Sequence, residues 1–324
     1  MDVVIPLHVI LDSSNLREWI PKASDGSILV QASIAQHTVL VLTYFKDNTH
    51  DILLYDLAQL STRESDSSSI AGDYYMASSS GGGGGSSTGV RPVATLPHPP
   101  CGSITSVTCD FSSPHIFYRY SSFDDPGSIW HALVSRDSYN GSIEISFDCY
   151  SSCKEALEQM FAGSGDEGVE FEVLCEELKS TDTYTAPADR GPAMLIFGRK
   201  DVIDDSNQQH PCILYTYGGF GVSTTPSFSL PIYVFARNYK GLFCLLSARG
   251  GGERGSKWAN EGRNKNKERP ITDLVAAAEY LIHNEFTNKD KLALLAEGNG
   301  AMLAMSAINR CPWLFAACGL VSGI

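Results

Sequence analysis

Long apolar runs are missing from this chain: no stretch of its 324 residues approaches the ~20 consecutive apolar positions that a membrane-spanning helix needs. Positive charge is scarce, with 24 Lys and Arg against 37 Asp and Glu and a net charge of -13, which argues against a groove for nucleic acid. Histidine is sparse too: the last of eight is His283, at the end of a predicted helix, where an exposed surface position is expected. The amino terminus, Met1-Asp-Val-Val-Ile-Pro, has neither the basic start nor the apolar core of a signal peptide, so a cytoplasmic location is expected. Nine cysteines are scattered through the chain. Cys149 and Cys153 have metal-like spacing, but no second pair answers them, and free reduced thiols with no metal site are the expectation.

The composition that remains, 43% hydrophobic and 19% charged, is that of a globular protein long enough for about two domains. The first half reads as short strands at Ile28 to Ser33, Thr38 to Phe45, Asp51 to Leu57, Val93 to Leu96, Ser103 to Cys109, His115 to Tyr120 and Ser128 to Leu133. Each is rich in β-branched and aromatic residues and bounded by turn formers. This rhythm suits four-stranded propeller blades and equally a sandwich. Between Ser61 and Gly89 the chain turns to low complexity, including five consecutive glycines, and a disordered insertion near 61–90 is expected. A second insertion, Ser151 to Gly168, holds a short amphipathic stretch from Lys154 to Phe161, and the domain boundary is placed at its end. From Phe171 strands and helices alternate. Strands are expected at Ala193 to Phe197, Cys212 to Tyr217, Leu242 to Ser247, Lys291 to Leu295 and Phe315 to Val321, and helices at Pro231 to Asn238, Ile271 to Asn284 and Gly300 to Asn309. That alternation predicts an α/β fold with a doubly wound, mostly parallel sheet.

Within it, Leu292 to Ala301 reads Leu-Ala-Leu-Leu-Ala-Glu-Gly-Asn-Gly-Ala, an apolar strand running through a glycine-flanked turn into a small-residue helix. This is the layout of the strained elbow that presents a nucleophilic serine in Gly-x-Ser-x-Gly hydrolases. The apex here is Gly298, which has no hydroxyl. Three upstream blocks accompany it: Ile213-Leu-Tyr-Thr-Tyr-Gly-Gly-Phe220, Ser247-Ala-Arg-Gly-Gly-Gly-Glu-Arg-Gly-Ser-Lys-Trp258, and the apolar helix Asp273 to Ile282. In this order and spacing the chain resembles the prolyl oligopeptidase family of serine peptidases, densely from Pro211 to about Ser322. The resemblance implies a partial α/β-hydrolase domain over 169–324, preceded over 1–168 by part of an antiparallel β-propeller, two or three blades of the family's seven. It also implies cleavage after proline in short peptides by Ser, Asp and His.

Carried over by residue, the resemblance puts Tyr217 and Asn299 at the oxyanion-hole positions, through the tyrosine hydroxyl and the asparagine backbone N–H, and Gly298 at the nucleophile position. The family elbow, Gly-Gly-Ser-Asn-Gly-Gly, is altered at Ala296, Glu297, Gly298 and Ala301, and Ala259 stands where the family usually has histidine. The family's catalytic Asp and His lie downstream of the elbow, and no residue up to Ile324 matches them. The expectation is therefore a truncated, nucleophile-less homologue without hydrolase activity and without a cofactor. The alternative is a pseudopeptidase that binds short proline-containing peptides or a protein partner, with Tyr217, Phe220 and Trp258 as candidate pocket aromatics. A remote alternative is a dinucleotide site, since Gly298-Asn-Gly300-Ala-Met-Leu-Ala304 approximates Gly-x-Gly-x-x-Gly/Ala, with Leu303 at the third glycine. Gly250-Gly-Gly-Glu-Arg-Gly255 reads as a structural turn.

Overall fold

The computed structural model describes residues 27–58, 91–162, 168–179, 191–205 and 208–322; the Ser/Gly-rich segment expected to be disordered lies outside them. The first antiparallel sheet has the order β1 (Ile28–Ala35), β2 (Val39–Lys46), β3 (Thr49–Asp56) and β4 (Ala94–Leu96). The β2–β3 connection is the two-residue loop Asp47-Asn48, both at positive φ (48° and 65°) with Lys46 paired to Thr49. A loop of that handedness matches the twist of the strands it joins, and Asp and Asn tolerate it best after glycine. The second sheet is also antiparallel, in the order β5 (Ser103–Cys109), β6 (His115–Ser121), β7 (Ser128–Arg136) and β8 (Ile143–Ser151). Along β6, Ile116, Tyr118 and Tyr120 point inward while His115, Phe117 and Arg119 are exposed, the period-2 alternation of a half-buried strand. The two sheets share one core, in which Val41, Ile52 and Leu54 pack with Val107, Ile116 and Tyr118.

Helix α1 (Cys153–Met160) follows, capped by Ser152, whose hydroxyl accepts from the Glu155 N–H at 3.1 Å. The third sheet has six strands in the order β14-β13-β11-β12-β10-β9, with β9 (Phe171–Glu177), β10 (Ala193–Arg199), β11 (Cys212–Tyr215), β12 (Leu242–Ser247), β13 (Leu292–Glu297) and β14 (Ala317–Val321). Strands β12, β11, β13 and β14 are parallel, but β10 runs antiparallel to both β12 and β9. The sheet is therefore mixed but mostly parallel, as expected, and β9 and β10 are the strands that depart from the parallel alternation. Parallel neighbours need a crossover of about a dozen residues, usually helical. Among the described residues such helices lie from β11 onward: α3 (Leu230–Tyr239), α5 (Glu268–His283) and α6 (Asn299–Arg310). The described part of the β10–β11 connection carries the single turn α2 (Lys200–Ile203).

Helices α5 and α6 cover one face of the sheet through Leu274, Leu281, Leu303 and Ala307, packed on Leu214, Cys244 and Leu294. On the other face, α3 packs Ala236 against Leu195, Phe197 and Phe243. Phe123, from the β6–β7 loop, joins that face, its ring centroid 5.2 Å from Phe197 and 5.7 Å from Phe243. Strand β8, strand β9 and the short helix α4 (Gly255–Asn260) had no counterpart among the expected elements. No helix among the described residues is long and apolar enough to cross a membrane.

Candidate active site

Strand β13 ends at Glu297, and α6 begins at Asn299, so a single residue turns the chain. That residue, Gly298, has φ 50° and ψ -120°, a conformation that costs a side-chain-bearing residue about 1–3 kcal/mol. Its N–H donates to the Val321 carbonyl at 3.1 Å, and its carbonyl accepts from the Ala301 N–H at 3.1 Å. The two glycines of the turn differ in what surrounds them. A Cβ on Gly300 would be driven into the Thr216 carbonyl oxygen, whereas a Cβ on Gly298 meets nothing closer than Tyr217 Cε2 at 3.4 Å. Gly300 is there for space. Gly298 has room for a side chain, and its glycine relieves backbone strain instead.

The three residues singled out from sequence come together. Asn299 is buried; its Nδ2 donates to the carbonyls of Tyr217 (2.8 Å) and Gly218 (3.0 Å), and its Oδ1 accepts from Lys267 Nζ at 2.7 Å. This fixes the elbow against the β11 loop. Lys267 is held below the usual lysine range by burial. The first N–H groups of an α-helix, ahead of the one that bonds the cap carbonyl, have no intrahelical acceptor and point toward its N-terminal end, which in α6 is the apex. Tyr217 is half-buried and borders a cleft of ≈ 540 Å³, whose lining includes Tyr215, Phe243, Leu245, Leu295, Thr224 and Glu297. Tyr215 donates to Glu297 Oε1 at 3.2 Å, and burial followed by the Glu297 charge pushes its phenol up to about 12.

Of the other candidate aromatics, neither Phe220 nor Trp258 borders this cleft. Phe220 is 65% exposed. Trp258 is core: its Nε1–H donates to the Ala248 carbonyl at 3.2 Å and Arg254 lies over its ring at 5.0 Å. His283 is exposed. All nine cysteines are free, and Cys149 and Cys153 contact different carbonyls, those of Ile129 and Gly127. Among the described residues no group of three or more His, Cys, Asp or Glu could hold a metal ion.

Sequence reasoning missed two groups that support the site. Arg249 and Asp273, 3% and 2% exposed, form a buried ion pair with Arg249 Nη2 2.6 Å from Asp273 Oδ1, and the Arg249 N–H also donates to Oδ2 at 2.9 Å. This pair ties the loop after β12 to α5. Glu253 is buried, its Oε1 accepting from the Thr224 N–H and hydroxyl, each at 2.8 Å, while its Oε2 has no hydrogen-bond partner among the described residues. Burial pushes this carboxyl up despite those hydrogen bonds. Both groups lie in the sequence blocks already noted. A charged residue beside a glycine run was the available signal, but burial is invisible in one sequence.

The sequence model of the prolyl oligopeptidase family matches residues 226–324. A prolyl endopeptidase of Dictyostelium discoideum is 34% identical over 197 residues, 59% of this chain and 25% of that protein. Prolyl oligopeptidase ophP of Omphalotus olearius is 26% identical over 301 residues, 92% of this chain and 33% of that protein. The solved structure of prolyl oligopeptidase B from Galerina marginata, bound to a 35mer hydrolysis and macrocyclization substrate, superposes with a TM-score of 0.65 at 24% identity. It is matched over 93% of this chain and 35% of its own, a likeness of fold. The chain thus spans between a quarter and about a third of the length of these relatives.

Proposed function

This chain belongs to the prolyl oligopeptidase family, and we propose that it is a hydrolytically silent homologue of prolyl endopeptidase whose cleft binds short proline-containing peptides. The observation that carries this reading is the elbow: its backbone has the strained turn of a nucleophile elbow, and the apex with room for a side chain is Gly298. Serine catalysis needs a hydroxyl there to form the tetrahedral intermediate that an oxyanion hole then stabilises. On this reading Tyr217 and the Asn299 N–H are the retained oxyanion donors without an intermediate to bind. The catalytic deficit is large, since loss of the nucleophile in a serine hydrolase lowers turnover by roughly 10⁶-fold.

The domain division belongs to the same proposal. On it, the two four-stranded antiparallel sheets within 1–168 are propeller blades, and the mixed sheet within 169–324 belongs to part of an α/β-hydrolase domain. The abrupt change from antiparallel sheets to the mixed sheet at Phe171 supports it. A dinucleotide at the same turn is disfavoured, because the space that Gly300 leaves is filled by the Thr216 carbonyl, an acceptor that would repel a phosphate.

The test pairs two measurements on the 324-residue chain. A fluorogenic acyl-Gly-Pro substrate should show no turnover above background, and a labelled proline-containing tetrapeptide should bind saturably by fluorescence anisotropy. Turnover abolished by a fluorophosphonate would refute the silent assignment; absence of saturable binding would refute the peptide cleft.

A further inference from the structure

We infer that the cleft beside the elbow selects a peptide carrying a Lys or Arg side chain, whose cation is held by Glu297; this rests on the peptide-binding reading above and names the ligand class. Among the residues lining the cleft, Glu297 alone carries a formal charge. Among the described residues its carboxylate accepts one hydrogen bond, from Tyr215 at 3.2 Å, and makes no ion pair. An ionised carboxylate accepts at about four lone-pair sites, so one hydrogen bond leaves most of its capacity for a ligand. Tyr215 orients it: the phenol is itself half-buried between Phe243 and the elbow, its ring centroid 6.2 Å from that of Phe243.

The rest of the cleft suits the stem and backbone of such a ligand. Phe243, Leu245 and Leu295 give an apolar wall for the methylenes of a long basic side chain, which bury readily while the head group stays polar. The hydroxyl-bearing residues Ser223, Thr225 and Ser227, which also line the cleft, offer acceptors and donors to a peptide backbone. At ≈ 540 Å³ the space exceeds one lysine side chain and admits the adjoining residue as well. The alternatives fit less well. A carboxylate ligand would meet Glu297 and no lining cation, in a chain whose net charge is already -13. A wholly apolar ligand would strip water from the carboxylate without replacing it. Because Glu297 directly precedes Gly298 and Tyr217 borders both cleft and apex, a peptide anchored by its cation would lie across the elbow.

The test is a titration with acetylated, amidated pentapeptides that differ at the residue before proline: lysine, norleucine of matched length, or glutamate. Lysine should bind about tenfold tighter than norleucine. Raising the ionic strength to about 1 M should shrink that ratio. Glu297→Gln should remove the lysine advantage, with norleucine binding tightening because no charge is then desolvated, and Glu297→Lys should turn the preference toward glutamate; the position is exposed, so both variants keep the fold. Equal binding of lysine and norleucine peptides overturns the cation assignment while leaving peptide binding standing. No binding of any peptide overturns the peptide reading itself. Butylamine binding as tightly as the lysine peptide overturns the peptide source in favour of a free amine.

Discussion

Gly298 shows how one residue can be read two ways until its surroundings are known. Glycine at a turn usually signals either a need for space or a need for positive φ. Here the neighbouring Gly300 answers the first need and Gly298 only the second, so substitutions at the two should differ in kind. Gly298→Ser should fold with a loss of about 1–3 kcal/mol, the ordinary cost of a strained φ/ψ for a non-glycine residue. Gly300→Ala, whose Cβ meets the Thr216 carbonyl, should cost more, on the order of 3–5 kcal/mol. Urea denaturation of both variants checks this, and equal losses would mean that the two glycines serve the same purpose. The sequence disclosed the missing hydroxyl and the proximity of Tyr217 and Asn299. It did not disclose that Asn299 spends its side chain on the Tyr217 and Gly218 carbonyls while Lys267 reaches it from the start of α5, since residues 32 and 82 positions apart carry no local pattern that joins them.

At the scale of elements, the strands with clean alternation or a continuous apolar run were legible: β5 and β12 have the expected bounds, and the helices α3, α5 and α6 lie within a few residues of theirs. What failed was direction and weak pattern. β10 reads as a buried strand whether its neighbours are parallel or antiparallel, and β8, exposed along most of its length, has no hydrophobic side to announce it. Buried polar contacts between elements were equally silent, and β3 supplies a measurable case. His50 accepts a hydrogen bond at Nδ1 from the Ile104 N–H of β5 at 3.3 Å, and burial, helped by His98, lowers its pKa from 6.5 to about 4. As pH falls below 6.5 the unfolded chain takes up this proton and the folded chain does not. The stability contributed by neutral His50 is therefore complete above 6.5 and is lost progressively down to about 4, by at most about 3 kcal/mol. Urea midpoints measured from pH 7 to 4.5 should fall, and should fall less steeply for His50→Gln, which offers an acceptor but does not titrate. Parallel slopes for the two proteins would remove His50 from the account.

Across the whole molecule, the loop at the tip of the β2–β3 hairpin is where the first antiparallel sheet meets the mixed sheet. Asn48 Nδ2 donates to Ser247 Oγ at 2.6 Å, both residues being buried, and beside it Asp47 pairs with Arg254, whose Nε is 2.6 Å from Asp47 Oδ1. Ser247 ends β12, and two residues later Arg249 enters its buried pair with Asp273 of α5. The hairpin thus bears on the same segment that supports the elbow loop from beneath. A buried hydrogen bond between residues 199 positions apart closes a long loop, and its loss on one side strands a polar group without water. Asn48→Ala and Ser247→Ala should each destabilise by about 1–3 kcal/mol. In the double variant the losses should fall short of additivity by about 0.5–3 kcal/mol, because the second substitution removes a group that the first has already left unpaired. A double-mutant cycle in urea measures that coupling directly. Strict additivity would mean that the two sheets are joined by apolar packing and the Asp47–Arg254 pair, with the Asn48–Ser247 contact contributing nothing to holding them together.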